Sequence, residues 1–149
     1  MDVYLPDFKY AENDIALKYS KAKDYPEIAK TAIQEMYAQV GKCEIDNGVI
    51  KKGVIIRHLI LPENLENTYK VIDWVSDTFK KGEVLFSLMS QYTPYRQLPF
   101  PELNRRLTKK EYILARNYMI KRGLTDGFVQ ELSSAKEEYT PDFDLTGVR

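Results

Sequence analysis

The fold of this chain is decided by residues 54–62, which read Val-Ile-Ile-Arg-His-Leu-Ile-Leu-Pro. A nearly continuous apolar run of this length, closed by a proline, is typical of a central strand buried on both faces of a sheet. Arg57 and His58 interrupt the run, and burying a charge without a partner is costly. The stretch therefore predicts a central strand whose polar side chains need either a structural partner or a ligand.

Strand-like and helix-like patterns alternate along the rest of the chain. Asn47-Gly48 between two short apolar segments is a hairpin signal. Thr108 with Glu111 three residues later forms a capping box that opens a helix, and Pro6 indicates a sheet edge or a bulge in the first strand. The predicted elements, in order, are a strand at 3–8, a loop with a helical turn at 11–23, a helix at 25–40, the hairpin around 43–51, the central strand, a helix at 65–80, a strand at 84–90, a helix ending at 122 and a short strand at 127–132.

This alternation favours a mostly parallel sheet with right-handed crossovers and flanking helices. With 149 residues, the chain is expected to form a single domain over 1–149 that is too short for a closed eight-unit barrel. Three or four strand–helix units make either an open sheet or a partial barrel. The polar segment 133–149 has little hydrophobic periodicity, and we expect it to pack as an extended tail.

Charge and composition exclude several classes of function. Lys plus Arg and Asp plus Glu number 22 each, and no long basic block is present, which argues against a nucleic-acid partner. Cys43 is the single cysteine and cannot form an intramolecular disulfide. No apolar run reaches the roughly 20 residues of a membrane span, and no signal peptide is evident. We therefore expect a cytoplasmic protein without a membrane partner.

Polar side chains follow three of the predicted strands. They are Asp7 with Lys9, Arg57 with His58, and Gln91. The carboxyl ends of neighbouring parallel strands meet at one edge of a sheet, where such folds bind ligands. A carboxylate can accept from an amino group and a guanidinium can clamp a carboxylate, so the set predicts a site for a zwitterionic ligand.

Each of these residues also has a purely structural interpretation. Asp7 and Lys9 can be a solvated pair at a strand end. Arg57 can belong to an ordinary ion pair, and the lone His58 can be a hydrogen-bonded core residue. Cys43 suits a small buried hydrophobe. The chain has no second histidine for a metal site, no nucleophile elbow and no glycine-rich phosphate loop, so neither a metal ligand nor a catalytic residue is predicted.

Six segments, taken together, carry a family resemblance. The chain resembles the C-terminal half of radical S-adenosylmethionine proteins related to pyruvate formate-lyase activating enzyme. The matching segments are YLPDFKY at 4–10, YS at 19–20, EMYAQVG at 35–41, GVIIRHLILP at 53–62, SQYTP at 90–94 and YTPDFD at 139–144.

The resemblance implies the C-terminal half of a partial (β/α) barrel that helps to bind S-adenosylmethionine. Asp7 and Lys9 match the Asp-x-Lys element that contacts the methionine part of this cofactor, and Arg57 matches an arginine that also reaches it. His58 and Gln91 are further cofactor-binding candidates by position only.

The family's cluster-binding cysteines, in the pattern C-x3-C-x2-C, are absent from this sequence. Thiolates hold such a cluster, and Cys43 alone cannot replace them. The resemblance therefore implies a missing N-terminal half that carries a 4Fe-4S cluster and a chain that is inactive alone. As in activating enzymes, it implies a substrate that is another protein.

A second hypothesis belongs to a different class of function. A half-barrel exposes strand edges and an apolar face, which favour self-association. The chain would then be a non-catalytic interaction or regulatory module that forms homo-oligomers. A small hydrolase that uses His58 is a weaker third hypothesis, because no nucleophile pattern accompanies the histidine.

Overall fold

The computed structural model of this protein describes residues 2–92, 94 and 98–124. The predicted strand at 127–132, the tail at 133–149 and the segment at 139–144 lie outside these residues. The described elements, in chain order, are β1 (Val3–Tyr4), α1 (Asn13–Ser20), α2 (Tyr25–Val40), β2 (Glu44–Asp46), β3 (Val49–Leu59), α3 (Leu65–Thr78), β4 (Leu85–Met89), a 3-10 turn (Pro101–Leu103) and α4 (Lys109–Lys121).

The long strand β3 organises the sheet. β1 pairs with it in parallel through Val3 opposite Gly53, and β4 pairs with it in parallel over the whole of Leu85–Met89. β2 pairs with the first half of β3 in the antiparallel sense. Within the described residues, the result is a mixed sheet of four strands with β3 at its centre.

The expected partial (β/α) barrel of mostly parallel strands is wrong. The described part of the chain is a small α/β domain whose mixed sheet does not close. Alternating strands and helices produce the same sequence pattern in an open sheet and in a barrel, because closure depends on how strand number, tilt and stagger combine. β2 is antiparallel to β3 because the hairpin between them reverses the chain within two residues.

The hairpin itself is confirmed. Asn47 and Gly48 have φ angles of 54° and 77°, and positive values at both central positions are what a type I′ turn requires. Asn and Gly tolerate that conformation better than other residues, so the turn residues set the register between β2 and β3.

The predicted helices are also present, with small differences at their ends. α2 has Pro26 in its first turn, but Asp24 adopts a left-handed conformation and its side chain does not cap the helix. α3 ends at Thr78, two residues before the predicted end. α1 is a helix of two turns where a loop with a single turn was predicted. No helix in the described ranges is long and apolar enough to cross a membrane.

The two faces of the sheet carry different sets of side chains. On the face that we call the helix face, Val54 and Ile56 of β3 join one apolar core with Phe86 and Leu88 of β4 and with residues of α2, α3 and α4. Strand alternation turns the intervening side chains to the other face. We call this the Arg57 face, and its members on β3 and β4 are Ile55, Arg57, Leu59, Leu85, Ser87 and Met89.

The Glu111 carboxylate joins the start of α4 to the rest of the domain. It closes the predicted capping box with Thr108. It also accepts a hydrogen bond of 2.7 Å from the backbone N–H of Glu63, and hydrogen bonds of 3.0 and 2.9 Å from the two terminal nitrogens of Arg105. The Arg105 guanidinium, together with the backbone donors, lowers the pKa of Glu111 to about 2.

We expect Glu111→Gln to lower the free energy of unfolding by about 2 kcal/mol at pH 7, because the charge-assisted bonds are lost. The pKa of this carboxyl is lower in the folded state than in the unfolded state. Its stabilisation is therefore present above the unfolded value of 4.5 and is lost as the pH falls toward about 2. Urea unfolding at pH 7 and at low pH measures this difference.

Glu66→Gln serves as the matched control. Glu66 is 85% exposed and lies 3.9 Å from its nearest cation, Lys70, so its loss should change stability little. An equal cost for Glu111→Gln at both pH values would show that the charge of Glu111 is not what stabilises the helix start.

Candidate ligand-binding site at the strand ends

Asp7 and Arg57 meet at the edge where β1 and β3 run side by side. The backbone N–H of Arg57 donates to Pro6 O at 2.9 Å, and its C=O accepts from the N–H of Phe8 at 2.8 Å. This parallel bridge continues the pairing of the two strands past Pro6. It brings together two side chains that are 50 residues apart in sequence, and Arg57 Nε donates to Asp7 Oδ1 at 2.8 Å.

This ion pair is open to solvent and has unused binding capacity. The Arg57 and Asp7 side chains are 41% and 43% exposed. Among the described residues, Arg57 bonds Asp7 only through Nε, which leaves its two terminal nitrogens and Asp7 Oδ2 without a protein partner. An exposed pair of this kind contributes at most about 1 kcal/mol to stability. A ligand can therefore engage both groups at little cost to the fold.

Lys9 follows Asp7 by two residues and is also exposed. Its backbone is held tightly: the N–H donates to Tyr25 Oη at 2.9 Å, and the C=O accepts from Asn67 Nδ2 at 2.9 Å. Its ammonium makes no hydrogen bond or ion pair with any residue in the described ranges. Two residues after Asp7, the chain thus presents a second exposed cation.

His58 does not belong to this constellation. It lies on the helix face, next to Arg57 in sequence but on the opposite side of β3, and it is fully buried. Its Nδ1 donates to Phe8 O at 2.8 Å, and its Nε2 accepts from Thr68 Oγ1 at 2.8 Å. Burial lowers the pKa of His58 to about 4, so the ring is neutral at pH 7. These contacts agree with the structural interpretation of this histidine.

Gln91 lies at the same edge of the sheet, beyond the end of β4. Ile60 N, just past the end of β3, donates to O of Met89, the last residue of β4, at 2.9 Å. Gln91 follows Met89 by two residues. It is exposed. The neighbouring Tyr92 is used structurally, since its hydroxyl donates to Leu103 O at 2.8 Å.

Two residues near the site were missed in the sequence. Tyr25 and Asn67 bond the backbone on both sides of Lys9, from α2 and α3 respectively. Tyr25 was predicted only as the start of a helix. Asn67 carries a weak signal, because an asparagine on the apolar side of a helix is unusual and needs a buried partner.

The described residues contain no group of three or more histidine, cysteine, aspartate or glutamate side chains that could hold a metal ion. Cys43 lies just before β2 and packs against Gly53 of β3, and its thiol donates weakly to Val54 O at 3.6 Å. Burial raises the pKa of the Cys43 thiol, which disfavours its reactive thiolate form. This fits the predicted role of a passive apolar residue.

Comparison with known proteins gives one informative match. The chain is 36% identical over 114 residues to an uncharacterized protein of Methanocaldococcus jannaschii. The match covers 74% of this chain but only 29% of that protein, so the chain spans less than a third of its relative. No protein-family model matches the chain. The comparison with solved structures also found no match.

Proposed function

We propose that this chain is the C-terminal part of a radical S-adenosylmethionine protein related to pyruvate formate-lyase activating enzyme, and that it binds the methionine end of the cofactor. One observation carries the proposal: Asp7 and Arg57 form an exposed ion pair at the ends of two parallel strands, with hydrogen-bonding groups left over. Such a site can form in an open sheet as well as in a barrel, because both folds bring the ends of parallel strands together at one edge.

The unused groups complement an α-amino acid. The two terminal nitrogens of Arg57 can clamp an α-carboxylate bidentately. Asp7 Oδ2 can accept from the α-ammonium group beside it. The Lys9 ammonium, which bonds no side chain among the described residues, adds a second positive charge for the carboxylate. The three side chains thus match the charges at the methionine end of S-adenosylmethionine.

The residues of this chain do not fit the iron–sulfur cluster of such a protein. Thiolates hold these clusters, and Cys43 is a single half-buried thiol that packs against Gly53. The cluster would supply the electron that cleaves the cofactor, and it would belong to another part of the protein. The M. jannaschii relative extends well beyond the matched segment, so a protein of this kind has room for it. A cytoplasmic location and a protein substrate are further parts of the proposal.

The test is an NMR titration of the ¹⁵N-labelled chain with S-adenosylmethionine, a method that detects weak binding. We expect shifts of the amides of Asp7, Lys9 and Arg57, competition by methionine, and none by adenosine. Arg57→Lys should weaken binding by roughly tenfold or more, because an ammonium lacks the planar fork.

Arg122→Lys is the matched control for this variant. Arg122 also forms an exposed ion pair, with Asp77 at 2.6 Å, but it joins the end of α4 to α3 and lies away from the strand ends. We expect it to bind S-adenosylmethionine like the unmodified chain. Binding that survives both Asp7→Asn and Arg57→Lys, or that adenosine displaces, would overturn the assignment.

A further inference from the structure

The segment from Asp7 to Ala11 carries two of the three site residues, yet it is not a regular strand. Among the residues that the structure describes, its pairing with the sheet is limited to the bridge between Asp7 and Arg57. Backbone N–H and C=O groups in such a segment must find partners elsewhere. In this protein, side chains from three different elements supply them.

Each of these side chains bonds a different part of the segment. Tyr25 of α2 donates to Asp7 O at 3.1 Å and accepts from Lys9 N at 2.9 Å. His58 of β3 donates to Phe8 O. Asn67 of α3 donates to Lys9 O and accepts from Ala11 N, both at 2.9 Å. The backbone on both sides of each charged side chain is therefore held.

The Phe8 ring anchors the middle of the segment. It is fully buried, and it packs edge-on against Trp74 with ring centroids 5.3 Å apart. Asp7 and Lys9 flank this anchor. Because successive residues of an extended chain point to opposite sides, burying Phe8 turns both charged residues away from the core.

We propose that Tyr25 is a positioning residue for the ligand: its single hydroxyl bridges Asp7 and Lys9 and fixes the spacing of their side chains. The proposal rests on the proposed function, since it assigns Tyr25 a role at that site. The bonds of His58 and the bond from Ala11 N to Asn67 are buried, whereas both bonds of Tyr25 go to exposed residues, with the tyrosine itself half-buried against the core.

This exposure separates a positioning role from a structural one. Water could satisfy Asp7 O and Lys9 N if the hydroxyl were removed, so the fold would lose little stability. What water cannot do is link the two groups rigidly to α2. Removing the hydroxyl should therefore affect ligand binding more than it affects folding.

The experiment compares Tyr25→Phe with Tyr10→Phe in the 149-residue chain. Tyr10 is a close control, because its ring meets that of Tyr25 edge-on at 5.6 Å while its hydroxyl bonds Ser20 Oγ rather than the segment. NMR titration with S-adenosylmethionine gives the dissociation constants, thermal unfolding gives the stability, and amide hydrogen exchange reports on Lys9 N–H.

For Tyr25→Phe we expect binding that is about tenfold weaker, which is the effect of a hydrogen bond of ordinary strength. The Lys9 amide should exchange faster, and the unfolding temperature should change by no more than in Tyr10→Phe. The control should bind like the unmodified chain.

The contrary outcomes are distinguishable. If the unmodified chain binds S-adenosylmethionine and Tyr25→Phe binds it equally well, the positioning role is wrong while the proposed function stands. If Tyr25→Phe and Tyr10→Phe lost binding equally, in proportion to their losses of stability, the effect would be a general structural one. That result would also overturn the positioning role of Tyr25. Absence of binding by the unmodified chain would overturn the proposed function and this inference with it.

Discussion

Gly53→Ala is expected to lower the free energy of unfolding by roughly 3–5 kcal/mol, because it combines backbone strain with a steric clash. Gly53 has a φ angle of +135°, a conformation that other residues rarely adopt. A β-carbon added there would lie 2.5 Å from Cys43 Sγ and 2.8 Å from Cys43 Cα. The second atom is backbone and cannot rotate away, so the segment that carries Cys43, just before β2, would have to move.

Gly48→Ala is the matched control for this prediction. Gly48 also has a positive φ angle, +77°, but a β-carbon there would meet no atom of the described part of the chain within 4 Å. Its substitution should cost about 1 kcal/mol, from backbone conformation alone. Urea unfolding of the two variants measures the difference. Similar costs for both would show that the close approach of Cys43 to β3 contributes nothing.

The second large effect is expected from pH, through His58. Burial lowers the pKa of this residue to about 4 in the folded protein, against 6.5 for an ordinary histidine. Above pH 6.5 the ring is neutral in both states, and its stabilisation is fully present. As the pH falls from 6.5 to about 4, the unfolded state binds a proton that the folded state does not, and stability falls by about 3 kcal/mol over this window.

His58→Gln tests this prediction, because glutamine cannot titrate. His58 is the only histidine in the sequence. The variant should be less stable than the unmodified chain at pH 7, since Phe8 O and Thr68 Oγ1 lose their present partners. Between pH 6.5 and 4.5, however, its stability should be nearly constant. The same decline in both proteins, measured by urea unfolding across this range, would contradict the assignment.

Much of the secondary structure was predictable, for local reasons. The capping box of Thr108 and Glu111 and the hairpin at Asn47-Gly48 both occur where the sequence indicated. In each case the signal and the structure involve the same few residues, so no distant contact is needed. α1 was underestimated, because its few apolar side chains give only a weak periodic pattern.

The candidate site was predictable only in part. The residue types at the strand ends indicated Asp7, Lys9 and Arg57, and the structure brings Asp7 and Arg57 into contact. It places His58 on the helix face instead, because neighbouring residues of a strand point to opposite sides. The backbone contacts of Tyr25 and Asn67 carried no comparable signal, since they depend on where α2 and α3 pack.

The sheet shows the same division between local and long-range causes. Apolar periodicity, caps and turn residues were sufficient to identify β3, β4 and the helix α3 between them, because each reflects interactions within one short segment. Whether the strands form a barrel or an open mixed sheet depends on how the whole sheet twists and pairs, and no short window contains that information. For the same reason, the ion pair that joins Asp7 to Arg57 across 50 residues became evident only from the packed chain.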